Sequence, residues 1–124
     1  MAKRILIVED EIPVLEVFEE FFKIIGLETK SARDGEEGWK IFQEEGPFDA
    51  YFIDVRIPKI EGLRLAHKIR EKDAEGAILI VSGLLDPDLK EKISAIPKAS
   101  FLKKPATFQE IREHLKRFNL IEDA

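Results

Sequence analysis

Asp54 closes an apolar run, Ala50-Tyr51-Phe52-Ile53, and is followed by Val55-Arg56-Ile57-Pro58. An ionised carboxylate inside a strand so rich in Tyr, Phe and Ile would be costly to bury. At the carboxyl end of that strand the cost disappears, because the group faces the crevice in which open parallel sheets bind ligands. Other polar residues stop apolar runs in the same way: Glu9, Asp10 and Glu11 after Ile5-Leu6-Ile7-Val8, Ser82 after residues 77–81, and Lys104 just past residues 99–102. Three carboxylates in contact repel one another and share protons unless a cation joins them. Mg2+ suits that role, since it takes carboxylate, carbonyl and water oxygens. A lysine pairs with the acceptor acid before reaction and with a phosphoryl oxygen after it, and a Ser hydroxyl donates to another oxygen. An Asp carboxylate attacks phosphorus to give an acyl phosphate. These residue types therefore fit phosphoryl transfer to Asp54, provided the strands that carry them are neighbours.

The remaining chain supplies those strands. Arg4 to Val8 reads as a buried strand, and Pro13, Val14, Phe18, Phe21 and Ile25 mark a helix closed by Gly26. A poorer strand covers residues 28–32. Asp34 with Glu37 opens a second helix in the manner of a capping box, and it carries Trp39 and Phe42 before ending near Gly46-Pro47. After the Asp54 strand, Leu63, Ala66 and Ile69 lay a stripe along a third helix, with His67, Lys68 and Arg70 beside it. Residues 77–81 form a fourth strand, a short helix covers residues 86–95, and Pro97 breaks it. A brief fifth strand spans residues 99–102. Thr107 and Glu110 form a capping box for a last helix bearing Ile111, Leu115 and Phe118, and residues 119–124 read as a frayed tail. Strand and helix in strict alternation imply right-handed crossovers and a doubly wound parallel sheet of the α/β class, in one domain over residues 1–124. Every carboxyl end in such a sheet lies on one edge, so Glu9, Asp10, Asp54, Ser82 and Lys104 are expected to converge there.

Val8-Glu9-Asp10-Glu11, Asp54-Val55-Arg56-Ile57-Pro58 with Gly62, Ser82-Gly83 and Phe101-Leu102-Lys103-Lys104-Pro105 together resemble the receiver domain of two-component response regulators. The resemblance runs in order over nearly the whole chain. It implies a flavodoxin-like sheet of five strands in the order 2-1-3-4-5 with five helices. It also implies that Asp54 accepts a phosphoryl group from a histidine kinase or phosphotransfer protein. Glu9, Asp10, Asp54 and the Arg56 backbone carbonyl are then the Mg2+ ligands, Ser82 and Lys104 the phosphoryl partners, Ser82 and Phe101 the switch pair, and Lys104-Pro105 the site of a cis peptide bond. Phosphorylation adds roughly −1.5 to −2 charge. The face made by the fourth helix, fifth strand and fifth helix is expected to change shape in response, for an unknown downstream protein target.

The chain departs from that family at four places. Glu9 stands where many members have Asp. Phe101 lacks the phenol oxygen of the commoner Tyr, so its readout is by packing. Pro97-Lys98 replaces the usual Gly-Ala before the fifth strand. Leu84, two residues beyond Ser82, is apolar and cannot orient water, which predicts slow loss of the phosphoryl group.

Each residue also has a plainer reading. Glu9, Asp10 and Glu11 could form a solvated helix entry, Ser82 could bond a turn, and Phe101 and Trp39 could be packing. His67 and His114 carry no acid or Cys pattern around them and read as surface residues. Two other functions stay open: an interaction module on the same fold that needs no phosphorylation, and a phosphohydrolase with an Asp nucleophile. The second commonly places another Asp two residues on, where this chain has Arg56.

Composition bounds the partners. With 20 basic against 25 acidic residues the net charge is −5, which argues against nucleic acid or an anionic membrane as the main partner. The absence of Cys fits a reducing compartment. No apolar stretch has the length of a signal peptide or membrane span, so a cytoplasmic, stand-alone protein is expected, either a monomer or a phosphorylation-dependent dimer.

Overall fold

The computed structural model describes residues 2–57, 59–83 and 87–122. Pro58, Leu84 and Asp86 lie outside them, so the dephosphorylation expectation placed on Leu84 and the exact start of the fourth helix are not addressed by the structure. Strands β1 (Arg4–Val8), β2 (Glu28–Ala32), β3 (Ala50–Asp54), β4 (Ala77–Ser82) and β5 (Ala99–Lys103) alternate with helices α1 (Ile12–Ile24), α2 (Gly35–Glu45), α3 (Gly62–Lys72), α4 (Pro87–Ser94) and α5 (Phe108–Arg117). All pairings are parallel, in the order β2-β1-β3-β4-β5.

Alternation along the central strands sorts their side chains into two layers. Ile5, Ile7, Phe52, Leu79 and Val81 face α1 and α5, where Leu15, Phe18, Phe22, Ile111 and Leu115 are buried with them. Leu6, Val8, Tyr51, Ile53, Ile78 and Ile80 face α2, α3 and α4, meeting Phe42, Leu65, Ile69, Leu89 and Ile93. Because both faces are covered, β1, β3 and β4 are apolar nearly throughout, and their polar residues are confined to the ends.

Several local expectations need correction. The buried face of α1 is Leu15, Phe18, Phe21 and Phe22, with Val14 only partly buried. That helix is apolar at so many positions that more than one 3.6-residue register fits it. Leu65, fully buried, joins Ala66 and Ile69 on α3, while Leu63 lies at the margin. At α2 the capping box is half made: Asp34 Oδ1 accepts from the Glu37 amide at 2.7 Å, with no reciprocal bond. The end of the chain is not frayed through residue 121. Asn119 adopts φ 60, the Leu120 amide donates to the Leu115 carbonyl at 2.9 Å, and Leu120 is buried against the α1 and α5 layer. This is the left-handed helix stop that Gly26 (φ 96) performs for α1, with Leu27 folded back in the same way. Lys98 also sits at positive φ, 54, in the turn that enters β5.

Thr107 and Glu110 complete both halves of a capping box on α5. Thr107→Ala is expected to lower the unfolding free energy by about 1 kcal/mol, read as a shifted urea midpoint with an unchanged slope.

At the edge away from Asp54 lies a buried polar knot that the sequence reading did not anticipate. Tyr51, fully buried on β3, donates its hydroxyl to Asp73 Oδ2 at 2.6 Å and accepts from the Phe48 amide at 2.9 Å. Asp73 Oδ1 accepts from the Glu75 and Gly76 amides at 2.9 and 3.2 Å. The Arg70 guanidinium donates to the carbonyls of Asp73 and Gly76, both at 2.6 Å, and to that of Lys98 at 3.4 Å. The knot thus joins β3, the α3–β4 connection and the turn before β5.

Candidate functional site

Strand register brings the sequence-predicted residues together. Val8 lies beside Ile53 and Asp54 beside Val81, so the chain leaving β1, the end of β3 and the end of β4 share one edge. Ser82 pairs with Lys103, and the Lys104 amide donates to the Ser82 carbonyl at 2.8 Å, which seats Lys104 at the same edge. The Lys104-Pro105 peptide is cis, as expected, and so is Gly46-Pro47.

Asp54 is 6% exposed and Glu9 3%, whereas Asp10 is open to solvent. One carboxylate oxygen from each of the three lies within 4.8 Å of the others. Lys104 Nζ donates to Asp54 Oδ2 and stands 3.6 Å from Glu9 Oε1. The other Asp54 oxygen accepts from the Arg56 amide at 3.0 Å, and Glu9 Oε2 accepts from the Glu11 amide at 3.1 Å. Burial, with Asp54 close by, pushes the Glu9 carboxyl up to about 7, even though the Glu11 amide and Lys104 favour its ionised form. Burial works against the charge on Lys104, but Asp54 and Glu9 outweigh it and raise its pKa.

A cavity of about 400 Å3 opens above this cluster, lined by Asp10, Glu11, Asp54, Arg56, Gly83 and Lys104. Glu11 is a lining residue to which the sequence reading gave no role. Gly62 has a role that only the backbone reveals. A Cβ there would lie 2.2 Å from the Asp54 carbonyl oxygen and 2.8 Å from Val55 Cα, so α3 can start against the end of β3 only with glycine.

Ser82 is 1% exposed at the end of β4. Phe101 is half-buried on β5 and packs, together with Ala99, against the layer that contains Leu89 and Ile93 of α4. Ser100 points the other way, to α5, where its hydroxyl bonds His114 Nδ1. His114 is therefore not a plain surface residue. Burial, with Arg117 nearby, lowers its pKa. His67 is exposed, as read from the sequence.

The donor set fits a hard divalent cation. Oxygens held by one Mg2+ at about 2.0–2.1 Å lie about 3 Å apart when adjacent and about 4 Å when opposite. The three acid oxygens, within 4.8 Å of one another, would draw closer to share an ion. A single ammonium does not balance the three acids.

Residues 5–116 match the family described as the response regulator receiver domain. The chain belongs to that family. It is similar to a receiver domain from Clostridium thermocellum, with a TM-score of 0.85 at 26% identity, covering 95% of this chain and 94% of that one. A CheY-like receiver from Methanospirillum hungatei shares the fold with a TM-score of 0.87 at 24% identity, covering 96% and 95%. Among curated proteins, the probable C4-dicarboxylate response regulator DctR of Bacillus subtilis is 31% identical over 93% of this chain and 51% of its own length. Sporulation initiation phosphotransferase F of the same organism is 25% identical over 95% and 94%. The receiver spans about half the length of the first curated relatives it matches. Receivers are phosphoacceptor signalling domains of two-component systems, working with histidine kinases or phosphotransfer proteins, and are not conventional enzymes. No helix among the described residues of this receiver is long and apolar enough to cross a membrane.

Proposed function

We propose that this receiver takes a phosphoryl group onto Asp54 from a kinase phosphohistidine, in a Mg2+-dependent reaction, and signals through the face made by α4, β5 and α5. The observation that carries the reading is the Lys104 ammonium held between Asp54 Oδ2 and Glu9 Oε1, beneath an open, acid-lined cavity. In the reaction an Asp54 oxygen forms a bond to phosphorus, the phosphorus–nitrogen bond to the imidazole breaks, and the histidine nitrogen leaves with the electron pair. Glu9, Asp10, Asp54 and the Arg56 carbonyl would hold the cation. When bound, it would neutralise charge on the transferring oxygens.

The receiver's own groups do the rest. Lys104 passes from the carboxylate to a phosphoryl oxygen as charge builds there. Ser82 donates its hydroxyl to another such oxygen, and Phe101 turns inward as Ser82 moves toward the phosphoryl group. Packing of Phe101 between β5 and α4 supports that coupling, since a side chain without a hydroxyl transmits shape alone. The receiver is further proposed to act in the cytoplasm and to pass its output to a downstream protein target, as a monomer or a phosphorylation-dependent dimer.

Incubation with acetyl phosphate and Mg2+ is expected to add one phosphoryl group to the intact mass. Asp54→Ala and omission of Mg2+ each abolish the gain. An unmodified wild-type chain would instead favour an interaction module that works without phosphorylation. Repeated turnover of small phosphate esters would favour a hydrolase.

A further inference from the structure

Lys98 leads into β5 with φ 54, a conformation that glycine adopts freely and lysine does not, at the place where Pro97-Lys98 stands instead of the usual Gly-Ala. Such a residue persists only where its surroundings over-determine it. Three contacts do so here. The Lys98 carbonyl accepts from the Ile78 amide at 2.9 Å and from Arg70 Nη2 at 3.4 Å, and the Lys98 ammonium donates to Glu75 Oε2 at 2.9 Å. Arg70 is itself fixed, because the same guanidinium donates to the Asp73 and Gly76 carbonyls, and the Asp73 carboxylate accepts the buried Tyr51 hydroxyl. The turn before β5 therefore leans on the α3–β4 connection, and through it on β3.

That turn joins the two elements that flank Phe101. Before it, the Ala95 and Ile96 amides bond the Glu91 and Ile93 carbonyls and close α4, with Ile96 buried in the layer of Leu89 and Ile93. After it, β5 rises about 10 Å from Lys98 to Phe101, at roughly 3.3 Å per residue. Phe101 packs on the same layer. Beyond the far end of β5 the Lys104 amide bonds the Ser82 carbonyl, which joins that end to the acid cluster. We propose that Arg70 makes the Pro97-Lys98 turn a fixed pivot for β5 and α4. A displacement that starts at Ser82 and Lys104 then turns Phe101 against α4 and does not slide the whole strand. This inference rests on the proposed phosphorylation of Asp54 and names the residue that directs the response to it. Arg70 lies at the opposite end of the sheet and acts as a positioning residue, through the Lys98 carbonyl.

The test uses the full chain, 15N-labelled, with beryllofluoride and Mg2+ as the probe. In the wild type the probe is expected to shift amides at Asp54 and Val55 and, farther off, at Leu89, Ile93 and Phe101, while Lys98 and Ala99 stay in place. Arg70→Lys keeps the charge, but an ammonium cannot span the three carbonyls as the planar fork does. In that variant the shifts at Leu89, Ile93 and Phe101 are expected to fall to about half, with Lys98 and Ala99 now moving and Asp54 responding as before. Lys98→Gly relaxes the positive φ without opening the interior, and is expected to act in the same direction. Thr107→Ala, weakened at a cap away from the turn, keeps the wild-type pattern, so lost stability alone does not imitate the effect. The pivot is overturned if Arg70→Lys and Lys98→Gly respond as the wild type does, or if Lys98 and Ala99 move with Phe101 in the wild type. A wild type with no response at Asp54 would overturn the phosphorylation reading. Hydrogen exchange without ligand then decides the pivot separately: the Ile78 amide, bonded to the Lys98 carbonyl, is expected to exchange about tenfold faster in Arg70→Lys than in Thr107→Ala, and equal rates overturn it.

Discussion

Asp73→Ala is expected to destabilise the fold by about 3 kcal/mol, lowering the melting temperature by roughly 10 °C, although the residue is far from Asp54. The substitution removes the acceptor of the buried Tyr51 hydroxyl and of the Glu75 and Gly76 amides. Each donor left without a partner in the interior costs about 1–3 kcal/mol, and entry of water limits the sum. The acid limb of the stability profile should change too. Burial disfavours the Asp73 carboxylate, but the Tyr51 hydroxyl, the two amides and Arg70 more than offset it and hold its pKa below the usual 3.8. A carboxyl with a depressed folded pKa binds fewer protons folded than unfolded near that value. Its contribution is therefore present above about pH 4 and lost as pH falls through the folded pKa. Urea midpoints between pH 2 and 7 should fall steeply at the acid end for the wild type and less so for Asp73→Ala. Parallel curves would mean that the carboxylate does not hold the knot.

The second large effect concerns the acid cluster. Asp10→Asn is expected to weaken Mg2+ binding by about tenfold to a hundredfold, measured by calorimetry. Glu9→Gln should weaken it comparably while raising the stability of the cation-free protein at neutral pH, because it removes one of the crowded acids beside Asp54. A structural acid would show the opposite, a loss of cation-free stability. Equal affinity in wild type and Asp10→Asn would remove that residue from the cation site.

Much of the fold was legible because both faces of the sheet are covered. That forces β1, β3 and β4 into apolar runs and leaves Glu9, Asp54 and Ser82 conspicuous at their ends. A parallel sheet then aligns those ends whatever their separation in sequence, and Lys104 follows through its backbone bond to Ser82. The knot at the other edge was not legible in the same way. Asp73 and Arg70 sit where a helix ends among charged residues, and nothing in their spacing separates a buried acid from a solvated one. The available hint was Tyr51, whose hydroxyl within a fully buried strand requires a partner. His114 escaped for a related reason. Its partner Ser100 comes from β5, so the pair exists only once α5 is laid across that strand. The Gly62 requirement depends on an approach of α3 to the Asp54 carbonyl that spacing alone does not specify.

Acceptance of the phosphoryl group by Asp54 is open to direct chemical test. Reductive trapping of the acyl phosphate with borohydride, after reaction with acetyl phosphate and Mg2+, followed by peptide mapping, locates the acceptor directly. Conversion of Asp54 to homoserine is expected, with Glu9 and Asp10 unmodified. Trapping at another carboxylate, or none in a folded and Mg2+-bound chain, would contradict it.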